Sequence, residues 1–256
     1  SAAIGGLAHL IAFQGTDNLS AIVAGRRYYH CDMAGFSIPA AEHSTITSWG
    51  RDNEIDAYEN IIRQFLTPNN TVAVVSDSYD LWHAIDTLWG HDLREHIIAS
   101  KGTLVIRPDS GDPLTIVPET IERLMKAFGS YTNNKGYAVL PPYIRVIQGD
   151  GVSPISIDAI LAAMKEKKLS AENIAFGMGG ALLQQVTRDT QNFAMKASAI
   201  YRNNSWQGIR KDPVTDTGKR SKLGRLALCH DQAEWKTVPR DSLPLEENQL
   251  VSVYRN

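Results

Sequence analysis

The residues best suited to chemistry follow five short apolar runs. Leu7–Phe13 leads to Gly15-Thr16-Asp17, Thr71–Val75 to Ser76-Asp77-Ser78, and Thr103–Ile106 to Arg107-Pro108-Asp109-Ser110-Gly111. Ile144–Ile147 leads to Gln148-Gly149-Asp150-Gly151, and Ile174–Phe176 to Gly177-Met178-Gly179-Gly180. If the runs are parallel strands, these tips converge on one rim. An aspartate or glycine often just ends a strand or caps the next helix. Asp17, Asp77, Asp109 and Asp150 gathered in one mouth would nevertheless repel one another unless a cation or a hydrogen-bonding ligand neutralised them. The pattern predicts a site that handles Mg²⁺ and phosphate, because oxygen ligands with few histidines favour Mg²⁺ over zinc.

Other residues add to this reading. Gly177 to Gly180 form a glycine turn before Ala181-Leu182-Leu183, and backbone N–H groups at such a helix start can bind phosphate. The turn matches neither the P-loop nor the full dinucleotide fingerprint. Arg188, about two turns along, reads equally as a phosphate clamp or a solvated helix residue. His43 stands in Pro39-Ala40-Ala41-Glu42-His43-Ser44-Thr45. A lone histidine is usually structural, but here Glu42 and the flanking hydroxyls could orient the ring and tune its basicity. His83, His91, His96 and His230 have no comparable setting. Arg210, Lys211, Lys219, Arg220, Lys222 and Arg225 form the densest cationic run, either a solvated surface loop or a flap over a polyphosphate.

The elements that must position these groups follow from periodicity. The five apolar runs, with a sixth over roughly Phe193–Tyr201, read as strands. Asp52–Leu66 places Ile55, Tyr58, Ile62, Phe65 and Leu66 on one helical face, and Tyr79–Leu88, Val117–Phe128 and Ile155–Lys167 repeat the pattern. Alternation of apolar strands with amphipathic helices predicts an α/β fold, a parallel sheet covered by helices. No internal boundary is required, so residues 1–256 read as one domain with a polar, basic loop near 202–225.

Composition narrows the function classes. With 43% hydrophobic and 21% charged residues over 256 positions the chain can build a full core. A net charge of −2 argues against wholesale binding to nucleic acid or an anionic membrane. The apolar stretch Ile4 to Phe13 is about half the ~20 residues a spanning helix needs and lacks a signal-peptide leader. Two distant cysteines, Cys31 and Cys229, imply no disulfide framework and fit a reducing cytoplasm. A start at Ser1-Ala2-Ala3 without Met suggests an excerpt of a longer chain.

Taken together, Gly15-Thr16-Asp17, Pro39 to Thr47, Val74 to Asp80, Ile106 to Gly111, Val146 to Gly151 and Lys219-Arg220-Ser221-Lys222 resemble the nicotinamide phosphoribosyltransferases, in order along nearly the whole chain. The resemblance implies a type II phosphoribosyltransferase with a barrel-like α/β core. It implies transfer of phosphoribose from 5-phosphoribosyl-1-pyrophosphate to nicotinamide, in a homodimer with sites at the subunit interface. ATP hydrolysis would be coupled through a phosphorylated histidine, with Mg²⁺ as cofactor. By motif, Asp17 would bind the carboxamide and His43 would carry the phosphoryl group, supported by Glu42 and Asp77. Asp77 and Asp109, with Glu42, would lie at the metal. Arg107, Asp109, Gly149 and Asp150 would border the ring or ribose. Gly179 and Gly180 would hold the 5-phosphate with Arg188 nearby, and Lys196, Lys211 and Lys219 would meet phosphates. The family's N-terminal region, with aromatics that sandwich the ring, is not in this sequence, and its carboxyl end stops early.

Two alternatives compete. Nicotinate or quinolinate phosphoribosyltransferase shares the architecture, but Asp17 can accept from a carboxamide N–H and would repel a substrate carboxylate. A non-catalytic interaction protein could also retain the fold, against which the intact set of polar residues speaks.

Overall fold

The computed structural model describes residues 2–180, 194–231 and 234–250. Helices α1 (Ala2–Leu10) and α2 (Leu19–Tyr29) lead into the short α3 (His43–Thr47) and the amphipathic α4 (Glu54–Phe65). Then come β1 (Thr71–Val75), one turn of helix α5 (Leu81–His83), a π-helix over Ala84–Asp92, α6 (Arg94–Ser100) and β2 (Thr103–Arg107). Helix α7 (Pro113–Phe128), the two-residue strands β3 (Tyr131–Thr132) and β4 (Ala138–Val139), β5 (Ile144–Gln148), α8 (Pro154–Glu166) and β6 (Ile174–Phe176) complete the α/β part. Hairpins β7 (Ala199–Arg202) with β8 (Ser205–Gly208), and β9 (Leu226–Asp231) with β10 (Glu234–Pro239), follow.

Strands β1, β2, β5 and β6 form a four-stranded parallel sheet in the order β1-β2-β5-β6. Val72, Val74, Leu104, Ile106, Ile144 and Val146 are buried against Tyr58, Ile85, Trp89, Ile121 and Leu124. β1 is buried along nearly its whole length, as a parallel strand covered on both faces should be, whereas β5 alternates and β6 buries no residue. Beyond β1 the sheet continues irregularly: Ala73 N–H donates to Pro39, Ala41 N–H donates to Ala73, and Gly15 bridges Phe36 in parallel.

The expected parallel α/β core is present, with the four central strands and main helices where periodicity placed them. Leu7–Phe13 is a correction: most of it belongs to α1, followed by a turn. Short apolar runs fit either state. Here Gly6 lets α1 approach α2 so closely that a Cβ would meet Asn18 and Ala21 at 2.5 and 2.6 Å. The late strand begins at Ala199 rather than near Phe193, which lies outside the described residues. No helix among the described residues is long and apolar enough to cross a membrane.

Candidate active site

The site assembles at the carboxyl ends of the strands. Because Ala40 bridges Ala73 in parallel, the three residues that follow carry His43 up to the level of the β1 tip. Helix α3 starts there, Glu42 and Thr45 forming a reciprocal capping box. The His43 ring is 3% exposed, and its Nε2 lies 3.0 Å from Oδ1 of Asp77, itself 1% exposed. Asp77 Oδ2 accepts from Lys211 Nζ at 3.4 Å, and that lysine is 4% exposed. Asp109 closes the group from the β2 tip, its Oδ2 3.8 Å from His43 Nε2 and 3.9 Å from Lys211 Nζ.

Two carboxylates thus share an imidazole and an ammonium, with Asp77, His43 and Lys211 all buried. Burial alone would push the Asp77 carboxyl up. The hydrogen bond from His43 and the Lys211 charge, helped by Ser110, outweigh it and hold the carboxyl well below the usual carboxylate range. An ionised carboxylate only accepts, so His43 Nε2 carries the proton toward Asp77. In the neutral ring the lone pair is then on Nδ1, which is buried, has no hydrogen-bond partner among the described residues and sits 4.0 Å from Glu42 Oε2. Glu42 is exposed and pairs with Arg107 Nη2 at 3.3 Å. Burial opposes its ionisation, but Arg107, His43 and Lys196 lower its carboxyl overall.

The cationic run is tied down rather than free. Asp212 N–H donates to Ser78, Val214 N–H donates to Tyr79, and Thr215 bonds Ser110 at 2.7 Å. Lys219 Nζ donates to Asp150 Oδ2 at 2.7 Å and to the Asp109 carbonyl at 3.2 Å, joining the β2 and β5 tips. Burial works against the Lys219 charge, yet its bond to Asp150 raises the ammonium pKa overall.

His43, Asp77, Asp109, Glu42, Arg107, Lys211, Asp150 and Lys219 are therefore brought into one linked network. Lys196 is exposed and acts on Glu42 through its charge. Asp17, on the loop before α2, accepts a hydrogen bond from Ser37 and has no hydrogen bond or ion pair to this network among the described residues. Gly149, Gly179 and Gly180 are exposed on the rim, and a Cβ at Gly149 or Gly179 would meet open space. Arg188 lies outside the described residues. Sequence reasoning missed Ser110 and Thr215, whose partnership spans two distant segments, and it missed the buried role of Lys211. No local signal marked it, since Lys211 stands between Arg210 and Asp212 and reads as one more charge of a polar loop.

Among the described residues no group of three His, Cys, Asp or Glu is arranged to hold a metal ion alone. Asp77 spends both oxygens on His43 and Lys211. Asp109 is 24% exposed, which suits the one-carboxylate share that Mg²⁺ takes when substrate phosphates supply the rest.

Fold and site define an α/β protein with a charged, histidine-bearing centre at the carboxyl rim of a parallel sheet. Residues 1–244 match the nicotinate phosphoribosyltransferase (NAPRTase) family, and the chain belongs to that family. A nicotinamide phosphoribosyltransferase of Xanthomonas campestris pv. campestris (strain 8004) is 53% identical over 262 aligned residues, covering 100% of this chain and 56% of that protein. Similar proteins of that name occur in Mycoplasma pneumoniae (strain ATCC 29342 / M129 / Subtype 1), 34% identical over 86% of this chain and 49% of the relative, and in Acinetobacter baylyi (strain ATCC 33305 / BD413 / ADP1), 31% identical over 100% and 54%. The chain spans about half the length of the curated relatives it matches.

Proposed function

We propose that this chain is the phosphate-handling core of a nicotinamide phosphoribosyltransferase that makes nicotinamide mononucleotide and pyrophosphate from nicotinamide and 5-phosphoribosyl-1-pyrophosphate, a step of NAD biosynthesis. Family membership supports the reaction class, and the names of the relatives support nicotinamide as the base. The observation that carries the ATP coupling is the His43 ring, held on Nε2 by Asp77 with Nδ1 left unpartnered among the described residues.

In the transfer, the pyridine nitrogen attacks the anomeric carbon while the bond to the pyrophosphate oxygen breaks and its electron pair leaves with that oxygen. The ring nitrogen is nucleophilic as it stands, so no protein nucleophile is needed. Positive charge develops on the sugar, and the carboxylates of Asp109 and Asp150 would oppose it. Arg107, Lys196 and Lys219 supply cationic contacts for phosphate oxygens, and the exposed Gly179 and Gly180 leave room for backbone approach. Asp109 would hold Mg²⁺, which when bound neutralises charge on the departing pyrophosphate. Asp17, with its single carboxylate, accepts from the carboxamide N–H and disfavours nicotinate.

Coupling runs through His43. The Nδ1 lone pair takes the terminal phosphoryl group of ATP, ADP leaves, and water later cleaves the N–P bond. The whole protein works as a homodimer in the cytoplasm, a setting supported by the unbridged thiols of Cys31 and Cys229.

The test uses the full-length protein with radiolabelled ATP and separate acid and base quenches. Wild type forms a base-stable, acid-labile phosphoprotein and makes nicotinamide mononucleotide faster with ATP. His43→Ala loses the label and the ATP stimulation and keeps only slow synthesis. Base-stable label persisting in folded His43→Ala protein would place the acceptor elsewhere.

A further inference from the structure

Behind the β1 tip lies a chain of buried polar contacts that the transfer chemistry does not use. Glu54, the first residue of α4, is buried, and its Oε1 accepts from Tyr58 Oη at 2.9 Å, one turn on. Tyr58 is fully buried and its ring stacks on Trp89 with centroids 4.2 Å apart. Trp89 comes from the π-helix, and its Nε1 donates to Ser76 Oγ at 3.1 Å. That hydroxyl donates in turn to the Val74 carbonyl at 3.1 Å. Ser76 N–H donates to the Arg107 carbonyl, fixing the β1 tip against the β2 tip that carries Asp109.

A carboxylic acid shut away from water costs desolvation, and an apolar side chain would avoid that cost. What the acid supplies is direction. It fixes the Tyr58 hydroxyl, and so the ring against which Trp89 stacks. Trp89 then saturates the Ser76 hydroxyl, whose residue adjoins Asp77. On the far side of Asp77 the Ser78 carbonyl accepts from Asp212 N–H, so the peptide is held on both flanks.

We propose that Glu54 and Tyr58 are positioning residues for His43: through Trp89 and Ser76 they hold the Asp77 carboxylate at the angle that keeps the imidazole in its working orientation. This rests on the reading of His43 as the phosphoryl acceptor, so the test includes a readout that does not.

The experiment uses the full-length protein, labelled with ¹⁵N-histidine, as wild type, Glu54→Ala, Glu54→Gln and Tyr58→Phe. Ring ¹⁵N resonances report the His43 tautomer and its bond to Asp77, with His43→Asn assigning the signal. Glu54→Ala and Tyr58→Phe are expected to displace the His43 resonances and to slow phosphoryl labelling per folded molecule about tenfold, because small misplacements of reacting groups are costly. Glu54→Gln still offers Tyr58 an acceptor and keeps both near wild type. The proposal is overturned if Glu54→Ala and Tyr58→Phe only melt earlier while their folded fraction retains the wild-type His43 resonances and labelling rate. Should Glu54→Ala fail to fold, Tyr58→Phe decides, since it removes a single oxygen. If wild type takes no label from ATP, the phosphoryl-acceptor reading fails by itself, and the displacement of the resonances still decides the positioning role.

Discussion

His43 and Asp77 face each other at 3.0 Å with both side chains almost wholly out of water, and Lys211 occupies the other oxygen of the same carboxylate. A buried carboxylate that balances an imidazole and an ammonium is part of the scaffold as well as of the site. Removing one member of such a group leaves the others buried and uncompensated, at a cost of about 3–5 kcal/mol. Asp77→Ala should therefore lower the urea midpoint of unfolding by that equivalent, with little change in the slope. A loss below about 1 kcal/mol, typical of an exposed pair, would mean that the group is wetter than its geometry implies.

The proposed function gives base choice to Asp17, which bonds Ser37. Asp17→Asn should weaken use of nicotinamide and relax the exclusion of nicotinate, since a charge-assisted hydrogen bond is worth on the order of 1.5–3 kcal/mol. The measurement is kcat/KM for each base in the full-length enzyme. Equal values before and after the change would remove Asp17 from the pyridine pocket.

Much of this was readable in the sequence, for identifiable reasons. Thr71–Val75, Thr103–Arg107, Ile144–Gln148 and Ile174–Phe176 are short, apolar and bounded by turn residues, so strand assignment and the convergence of Asp77, Asp109 and Asp150 followed directly. Leu7 to Phe13 failed because length and hydrophobicity do not separate a short strand from the end of a helix, and the deciding fact, Gly6 against Asn18 and Ala21, is a tertiary contact. Lys211 was read as a phosphate ligand on a free flap. Its burial depends on Asp212, Val214 and Thr215 anchoring the loop to Ser78, Tyr79 and Ser110, pairings without local periodicity. The Glu54–Tyr58–Trp89–Ser76 chain was equally hidden, because a glutamate at a helix start reads as solvated.

Metal dependence provides a third expectation. Chelation should abolish nucleotide formation, and Asp109→Ala should raise the Mg²⁺ or phosphoribosyl pyrophosphate requirement, because Asp109 is the open carboxylate of the group. Initial rates over a Mg²⁺ series at fixed substrate give the answer. Full activity in excess chelator would be incompatible with metal-assisted departure of pyrophosphate.

Glu54 makes stability depend on pH in a direction opposite to that of most carboxylates. Burial pushes its carboxyl up to about 7, against the Tyr58 hydrogen bond and the Arg51 charge and with the help of Asp80 and Asp77. The unfolded chain titrates this group near 4.5, so between 4.5 and about 7 the folded protein holds a proton that the unfolded chain has released. The stabilisation is thus fully present below the unfolded value and is lost as pH rises through the folded one. Each pKa unit corresponds to about 1.4 kcal/mol, so most of the loss, about 2–3 kcal/mol, falls between about pH 5 and about pH 8. Glu54→Gln has no proton to lose and should lack this component while keeping an acceptor for Tyr58. Urea denaturation of both proteins at the two pH values isolates it, because titrations elsewhere cancel in the difference. Wild type should lose ground to Glu54→Gln as pH rises. A difference that stays flat would show that Glu54 is already ionised at the acid end and that its burial is better compensated than these contacts provide.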